Sequence, residues 1–223
     1  MFFPNLNRVN NRDAIIFDIG ANAGNFSYKY RDKCKIVSVE ANPILAEALK
    51  ERFSENNNIF VENCAISDKK GTIDFFICAQ DQMSSCNRNW LETLRYKKHG
   101  IQRTIEVPAV TLDNLIEKYG PPHHIKIDVE GYELEVVSGL SKKVGSIQFE
   151  YIREEFETLT VPIFFKLKNL GYDKFNHRPW PHKGDFDALD AFSDQWSDLK
   201  SSLEEIIKIE NLPNCPGGMI LAS

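Results

Sequence analysis

The stretch AIIFDIGANAGNFS, residues 14–27, decides the fold. Its apolar first half is β-branched at Ile15 and Ile16, its middle is a loop of small residues, and residues able to form a helix follow Gly24. A strand, a glycine turn and a helix in that order open a parallel α/β sheet. Gly20 and Gly24 frame a G-x-N-x-G turn, which differs from the G-x-G-x-x-G of a dinucleotide site. Asp18 stands where the loop begins and would repel a pyrophosphate held there. The same carboxylate suits a cation, such as the α-ammonium of an amino-acid-like ligand. Glu40 lies 20 residues after Gly20, at the end of the next β-branched run. An acid there can accept hydrogen bonds from both hydroxyls of a ribose. Taken singly, the loop reads equally as a structural turn and Glu40 as a solvated strand end. As a pair at this spacing they describe S-adenosylmethionine better than a nicotinamide dinucleotide.

Outward from this stretch the chain keeps alternating. Strands are expected at 35–40 (KIVSVE), 59–66 (IFVENCAI), 124–129 (HIKIDV), 146–152 (SIQFEYI), YDKFNH and the terminal GMILAS. Helices are expected at 43–57, with Pro43 in the first turn, at TLDNLIEKYG between Thr111 and Gly120, at 132–140, through FFKLKNL, and near 198–209. Between residues 71 and 110 the alternation is interrupted. GTIDFFI (71–77) reads as an added strand, CAQDQMSSCNRN as a polar loop, WLETLRYKKHG as a basic helical piece, and TIEVPAV as extended. No Pro/Gly/Ser-rich linker divides the sequence, so residues 1–223 are expected to form a single domain.

The bulk numbers narrow the function. Lys and Arg total 27 against 32 acidic residues, a net charge of −5, which disfavours nucleic acid as the main partner. No apolar run reaches the roughly 20 residues that cross a bilayer, so no membrane partner is expected. The first residues, MFFPNLNRVNNRD, lack the basic and apolar regions of a signal peptide. The cysteines Cys34, Cys64, Cys78, Cys86 and Cys215 form no CxxC pair, so neither a zinc site nor a disulfide framework is indicated and a cytoplasmic setting is expected. The oligomeric state is not legible.

The segments FDIGANAGNFS, VSVEANP, NCAISDKKGTIDFF, TLDNLI and IKIDVEGYELEVVSGL occur in the order typical of FkbM-type methyltransferases. The chain resembles that family from about residue 14 to 151, with a weaker echo at LGYDKF. The resemblance implies a class I, S-adenosylmethionine-dependent enzyme that methylates a hydroxyl oxygen and releases S-adenosylhomocysteine. It implies a Rossmann-like α/β fold: a mostly parallel seven-stranded sheet flanked by helices, with an antiparallel last strand that GMILAS would supply. It places Asp18, Gly20, Ala21, Asn22, Gly24 and Asn25 around the methionine part of the cofactor. Glu40 and Ala41 fall at the ribose, and Asn63, Cys64 and Ala65 beside the adenine.

Lys126, Asp128 and Glu130 alternate along KIDVEG and so point one way, at the sheet edge that carries the loop. Asp128 is the candidate base or acceptor-orienting group, Glu130 the second candidate, and Lys126 a third or a partner of Asp128. Glu130 reads equally as a helix cap, with Glu133 and Glu135 serving the helix dipole. Joint Mg²⁺ binding by these carboxylates is an alternative, but no metal-ligand spacing indicates it; Glu150 ends the neighbouring strand. The five histidines are not clustered, though His182 is a candidate for the cleft. Cover for the acceptor is expected from residues 80–103 and 177–196. The first carries Arg88, Arg95, Lys97, Lys98 and Arg103, either a grip on an anionic acceptor or a solvated face. The second carries Trp180 and Trp196, either sugar-stacking rings or packing beneath a loop. The function expected is O-methylation of a small polar acceptor, a carbohydrate or nucleotide sugar first. The alternatives are a protein or other metabolite acceptor, or a catalytically silent cofactor-binding interaction module.

Overall fold

The computed structural model describes residues 13–93, 97–179, 196–210 and 217–223. Arg95, Trp180, His182, Cys215 and most of the 177–196 stretch lie outside them. In chain order the first half comprises β1 (Ile15–Ile19), α1 (Asn25–Tyr30), β2 (Lys35–Val39), α2 (Pro43–Arg52), β3 (Ile59–Glu62), β4 (Ala65–Ile66), β5 (Gly71–Cys78), α3 (Arg88–Leu91) and β6 (Ile101–Val110). The second comprises α4 (Leu112–Tyr119), β7 (His124–Ile127), α5 (Glu133–Ser138), β8 (Ser146–Ile152), α6 (Val161–Asn169), β9 (Phe175–Pro179), α7 (Leu199–Glu210) and β10 (Gly217–Ala222).

Seven strands form one sheet in the order β3-β2-β1-β7-β8-β10-β9. β3, β2, β1, β7 and β8 run parallel, and β10 runs antiparallel between β8 and β9. This is the α/β Rossmann-like sheet expected, with GMILAS as its reversed strand. The central strands are buried on both faces, as a parallel sheet covered by helices requires. Phe17, Ile19, Val37, Val39, Ile125, Ile127, Ile147 and Phe149 form the core beneath α4, α5 and α6. Alternation sends Ile16 and Ile36 to the other face, where Phe26 and Tyr30 of α1 and Leu49 of α2 cover them.

Local sequence explains the helix boundaries. Asn42 caps α2 through Ile44 N, and Pro43 follows it, where a missing N–H costs least. α2 stops at Arg52, short of residue 57, because SENNN is a poor helix former. Thr111 and Asn114 form a reciprocal capping box on α4, and Gly120 ends that helix at a φ of 91°.

The expected third strand over 59–66 is two strands. β3 stays in the main sheet, whereas β4 joins β6 and β5 in a second sheet of order β4-β6-β5. The break falls at Asn63, whose side-chain amide donates to the carbonyls of Glu40 (2.9 Å) and Ala41 (3.2 Å). β5 and β6 are an antiparallel pair, so residues 101–103 belong to a strand and the segment between the pair starts at residue 79. Among the described residues of the basic helical piece, Arg88–Leu91 form a helix and Lys97–His99 a single turn. Among the described residues no helix is long and apolar enough to cross a membrane.

Candidate functional site

Strand order reverses between β1 and β7, which is where an open parallel sheet leaves a crevice at its carboxyl edge. A cleft of about 260 Å³ opens there, lined by the loop after β1, the ends of β2 and β7, β4 and the segment following β5. Gly20, at φ 77°, lets the two central strands meet: a Cβ on it would lie 1.9 Å from the carbonyl oxygen of Asp128. Gly24 has another duty. It starts α1 at φ 77° and is packed against Leu49 and Phe53, away from the cleft wall.

Glu40 ends β2 and lines the cleft. Its Oε2 accepts from Asn22 N and its Oε1 from Asn42 N, both at 2.8 Å. Asn22 reaches this position through a left-handed backbone, φ 47°, a conformation asparagine tolerates better than most residues. Each carboxylate oxygen is fixed by one backbone donor and keeps a lone pair for a ligand hydroxyl. Burial pushes the Glu40 pKa above the usual carboxylate range, against the lowering effect of the two N–H groups. Asn22, Ala21, Asn25, Ala41, Cys64 and Ala65 line the same cleft. Asn63 is not in its wall and instead ties the ends of β2 and β3 together.

The expected meeting of Asp18 with a ligand ammonium is not what the geometry offers. Asp18 is fully buried and lies beneath the cleft. Its Oδ2 accepts from the Ser27 hydroxyl (2.6 Å), which also meets Ser38 Oγ (2.7 Å), and its Oδ1 lies 3.6 Å from Lys126 Nζ. The register explains this, since Ser38, Asp18, Lys126 and Gln148 are neighbours across four strands on the face that α1 covers. Four polar side chains thus form a buried row just below the sheet edge. Ser38 and Gln148 escape sequence reasoning because only strand register unites them with Asp18 and Lys126, and Ser27 because it reaches the row from α1.

Lys126 links the row to the cleft. Its ammonium donates to Asp128 Oδ2 at 3.1 Å while its own side chain is only 4% exposed. Asp128 and Glu130 both line the cleft. Glu130 adopts φ 55°, uncommon for a residue with a Cβ, and Gly131 follows at 82°. Carboxylate oxygens of Asp128, Glu130 and Glu150 come within 4.8 Å of one another. Acids this close share a proton, bind a divalent cation or take a fixed positive charge beside them, and Lys126 supplies the last. Behind the turn Glu133 is buried, and desolvation raises its pKa to about 7.

The cleft has further walls whose individual residues sequence reasoning did not single out, although four of them fall within the 80–103 stretch. Asp81, Gln82, Ser84 and Cys86 come from the segment after β5, and Phe26 and Tyr132 from the starts of α1 and of α5. The polar composition of CAQDQMSSCNRN is the signal that could have marked the first four. The basic residues of that insertion lie elsewhere: Arg88 pairs with Glu92 at 2.8 Å, Lys97, Lys98 and Arg103 are exposed, and none of the four lines the cleft. Trp196 is likewise outside the cleft wall.

Comparison with known proteins bears on what this geometry does. The family described as the methyltransferase FkbM domain matches residues 18–174. The hexuronic acid methyltransferase AglP of Haloferax volcanii is 24% identical over 140 residues, covering 61% of this chain and 54% of that protein. The chain therefore spans about half the length of this curated relative. Among solved structures, a precorrin-6y C5,15-methyltransferase from Geobacter metallireducens aligns with 98% of this chain and 83% of its own, at 12% identity and a TM-score of 0.46. Fibrillarin from Aeropyrum pernix, solved with bound S-adenosyl-L-methionine, aligns with 96% of this chain and 68% of its own, at 14% identity and a TM-score of 0.42. The family match covers well over half of the sequence and includes the β1 loop, Glu40 and the Asp128–Gly131 turn, so the chain belongs to the FkbM methyltransferase-domain family.

Proposed function

We propose that this chain transfers the methyl group of S-adenosylmethionine to a hydroxyl of a carbohydrate acceptor, releasing S-adenosylhomocysteine. Glu40 carries the donor half of the reading. Its carboxylate is held by two backbone N–H groups at the cleft rim, with lone pairs left for the two hydroxyls of a ribose. Among the described residues that line the cleft, the carboxylates of Glu40, Asp81, Asp128 and Glu130 outnumber the Lys126 ammonium, which suits a cationic donor. Family membership supports methyl transfer. The similarity to a hexuronic acid methyltransferase puts sugars first among acceptors.

When bound, S-adenosylmethionine supplies an activated methyl group on a sulfonium that departs as a neutral thioether. What remains for the chain is to align the acceptor oxygen and take its proton. We assign that role to Asp128, which faces the cleft and whose carboxylate Lys126 orients at 3.1 Å. Glu130, on the same turn, orients the acceptor. The wall contributed by Asp81, Gln82 and Ser84 supports a covering role for the 80–103 stretch.

Titration calorimetry with S-adenosylmethionine, S-adenosylhomocysteine and NAD tests the donor. Binding of the first two is expected, and binding of NAD alone would overturn the reading. Methyl transfer to a panel of neutral glycosides, glucuronides and nucleotide sugars then tests the acceptor. Transfer to peptides or other metabolites and not to sugars would replace the acceptor class, and binding without any transfer would leave an interaction module. Repeating the assay with EDTA tests whether the Asp128, Glu130 and Glu150 carboxylates, which lie close enough together to hold a divalent cation, need one for turnover.

A further inference from the structure

The turn that presents Asp128 and Glu130 does not hold its shape by itself. Glu130 sits at φ 55° and Gly131 at 82°, and a left-handed backbone at 130 is costly for a residue with a side chain. Its carbonyls are gripped from outside. Ser85 Oγ donates to Glu130 O at 2.7 Å, and Asn87 Nδ2 donates to Gly131 O at 2.7 Å. Both donors come from the segment between β5 and β6, more than 40 residues earlier in the chain. That segment is itself anchored. Ser85 exchanges backbone hydrogen bonds with Phe76 of β5, and its hydroxyl accepts from Asn87 N at 2.9 Å. Asn87 Oδ1 caps α3 by accepting from Trp90 N at 3.1 Å. Trp90 packs against Gly131, so closely that a Cβ there would come within 2.4 Å of the ring, and its Nε1 donates to Glu155 at 2.6 Å. From the start of α5, Glu133 Oε1 accepts from Val129 N at 3.2 Å and more loosely from Gly131 N at 3.4 Å.

The same short segment lines the cleft through Asp81, Gln82, Ser84 and Cys86. One stretch of chain therefore forms a wall of the site and fixes the turn that carries the candidate base. We infer that Ser85 and Asn87 are positioning residues for methyl transfer, holding the Asp128–Gly131 turn by its carbonyls so that Asp128 and Glu130 face the acceptor. The inference rests on the function proposed above. Among the described residues neither side chain hydrogen-bonds the loop at Gly20–Asn25 or Glu40, so their loss is expected to lower turnover before it lowers donor binding.

Asn87→Asp is the sharpest variant. It keeps the oxygen that caps α3 and replaces the donor facing Gly131 O with a second carboxylate oxygen, which repels that carbonyl. Ser85→Ala removes the other grip. Three measurements apply to each: amide hydrogen exchange of residues 126–134, calorimetric binding of S-adenosylhomocysteine, and turnover of p-nitrophenyl β-D-glucuronide as probe acceptor. Both variants are expected to speed exchange in the turn about tenfold and to lower kcat about 10- to 100-fold. Affinity for S-adenosylhomocysteine should stay within about twofold of the parent. Unchanged exchange with unchanged kcat overturns the inference, as does a parallel loss of S-adenosylhomocysteine affinity. If Asn87→Asp does not fold, Ser85→Ala decides alone. Should the parent protein bind S-adenosylhomocysteine but leave this glucuronide unmethylated, the sugar of the panel above that it does methylate replaces it in the turnover measurement, and methylation of none of them overturns the proposed function rather than the placement of the two side chains.

Discussion

Glu40 shows how much one side chain can commit. Both of its oxygens accept from backbone N–H groups, so an amide in its place would turn an NH₂ toward Asn22 N or Asn42 N. Glu40→Gln therefore loses a charge and gains a donor–donor clash. Its expected effect is an increase of about 10- to 100-fold in the Kd for S-adenosylmethionine, measured by calorimetry. Because burial raises the Glu40 pKa, donor affinity should also weaken as pH falls and the carboxyl takes up a proton. Asp128→Asn separates in the opposite way. The asparagine keeps its place beside Lys126 but cannot take a proton, so kcat should fall about 100-fold or more while the donor Kd stays within about twofold. Equal kcat in variant and parent would remove Asp128 from its assigned role. The positions of Glu40 and Asp128 were legible in the sequence, since each is the acid that ends a β-branched run. The burial of Asp18 was not. Alternation says that Asp18, Ser38 and Lys126 share a direction only once their strands are paired, and the pairing is non-local.

At the scale of elements, what the sequence conceals is again long-range. The strand–loop–helix units around β1, β2, β7 and β8 follow from periodicity and caps a few residues apart, and they are where expectation and structure agree. The 59–66 run fails as one strand because β4 pairs with β6, whose partner residues lie more than 40 positions away. The insertion between β5 and β6 was legible as an interruption but not as a clamp on the Asp128–Gly131 turn. Its basic residues illustrate the difference between charge in sequence and charge at a site. Arg88 is committed to Glu92, and Lys97 is exposed on a turn outside the cleft wall. An Arg88→Ala, Lys97→Ala double variant is therefore expected to leave acceptor KM within about twofold. A rise of about tenfold would restore the insertion's basic face as an anion grip.

Across the whole molecule, two buried groups pull stability in opposite directions with pH. His124 faces α1 from β7, and burial lowers its pKa to about 3 from an ordinary 6.5. A group held below its unfolded value contributes stability above that value, and the contribution is lost as pH falls from 6.5 toward 3. The full loss is about 5 kcal/mol, taking each pKa unit as 1.36. Glu133, on the other face beside the Asp128–Gly131 turn, is raised to about 7 from an ordinary 4.5. Its neutral form is favoured in the fold, so its contribution is complete below 4.5 and is lost as pH rises through 7, at about 3 kcal/mol in full. Between 4.5 and 6.5 the two slopes oppose each other, and stability should be nearly flat there as far as these groups decide it. Single variants expose each slope. Glu133→Gln is uncharged at every pH and keeps an oxygen toward Val129 N and Gly131 N, so it should gain in Tm over the parent as pH rises from about 5 to 8. His124→Gln cannot take up a proton, so its Tm should gain on the parent as pH falls below about 6. Thermal unfolding followed by circular dichroism across this range reads both differences, and two differences of the same sign of slope would overturn the assignment.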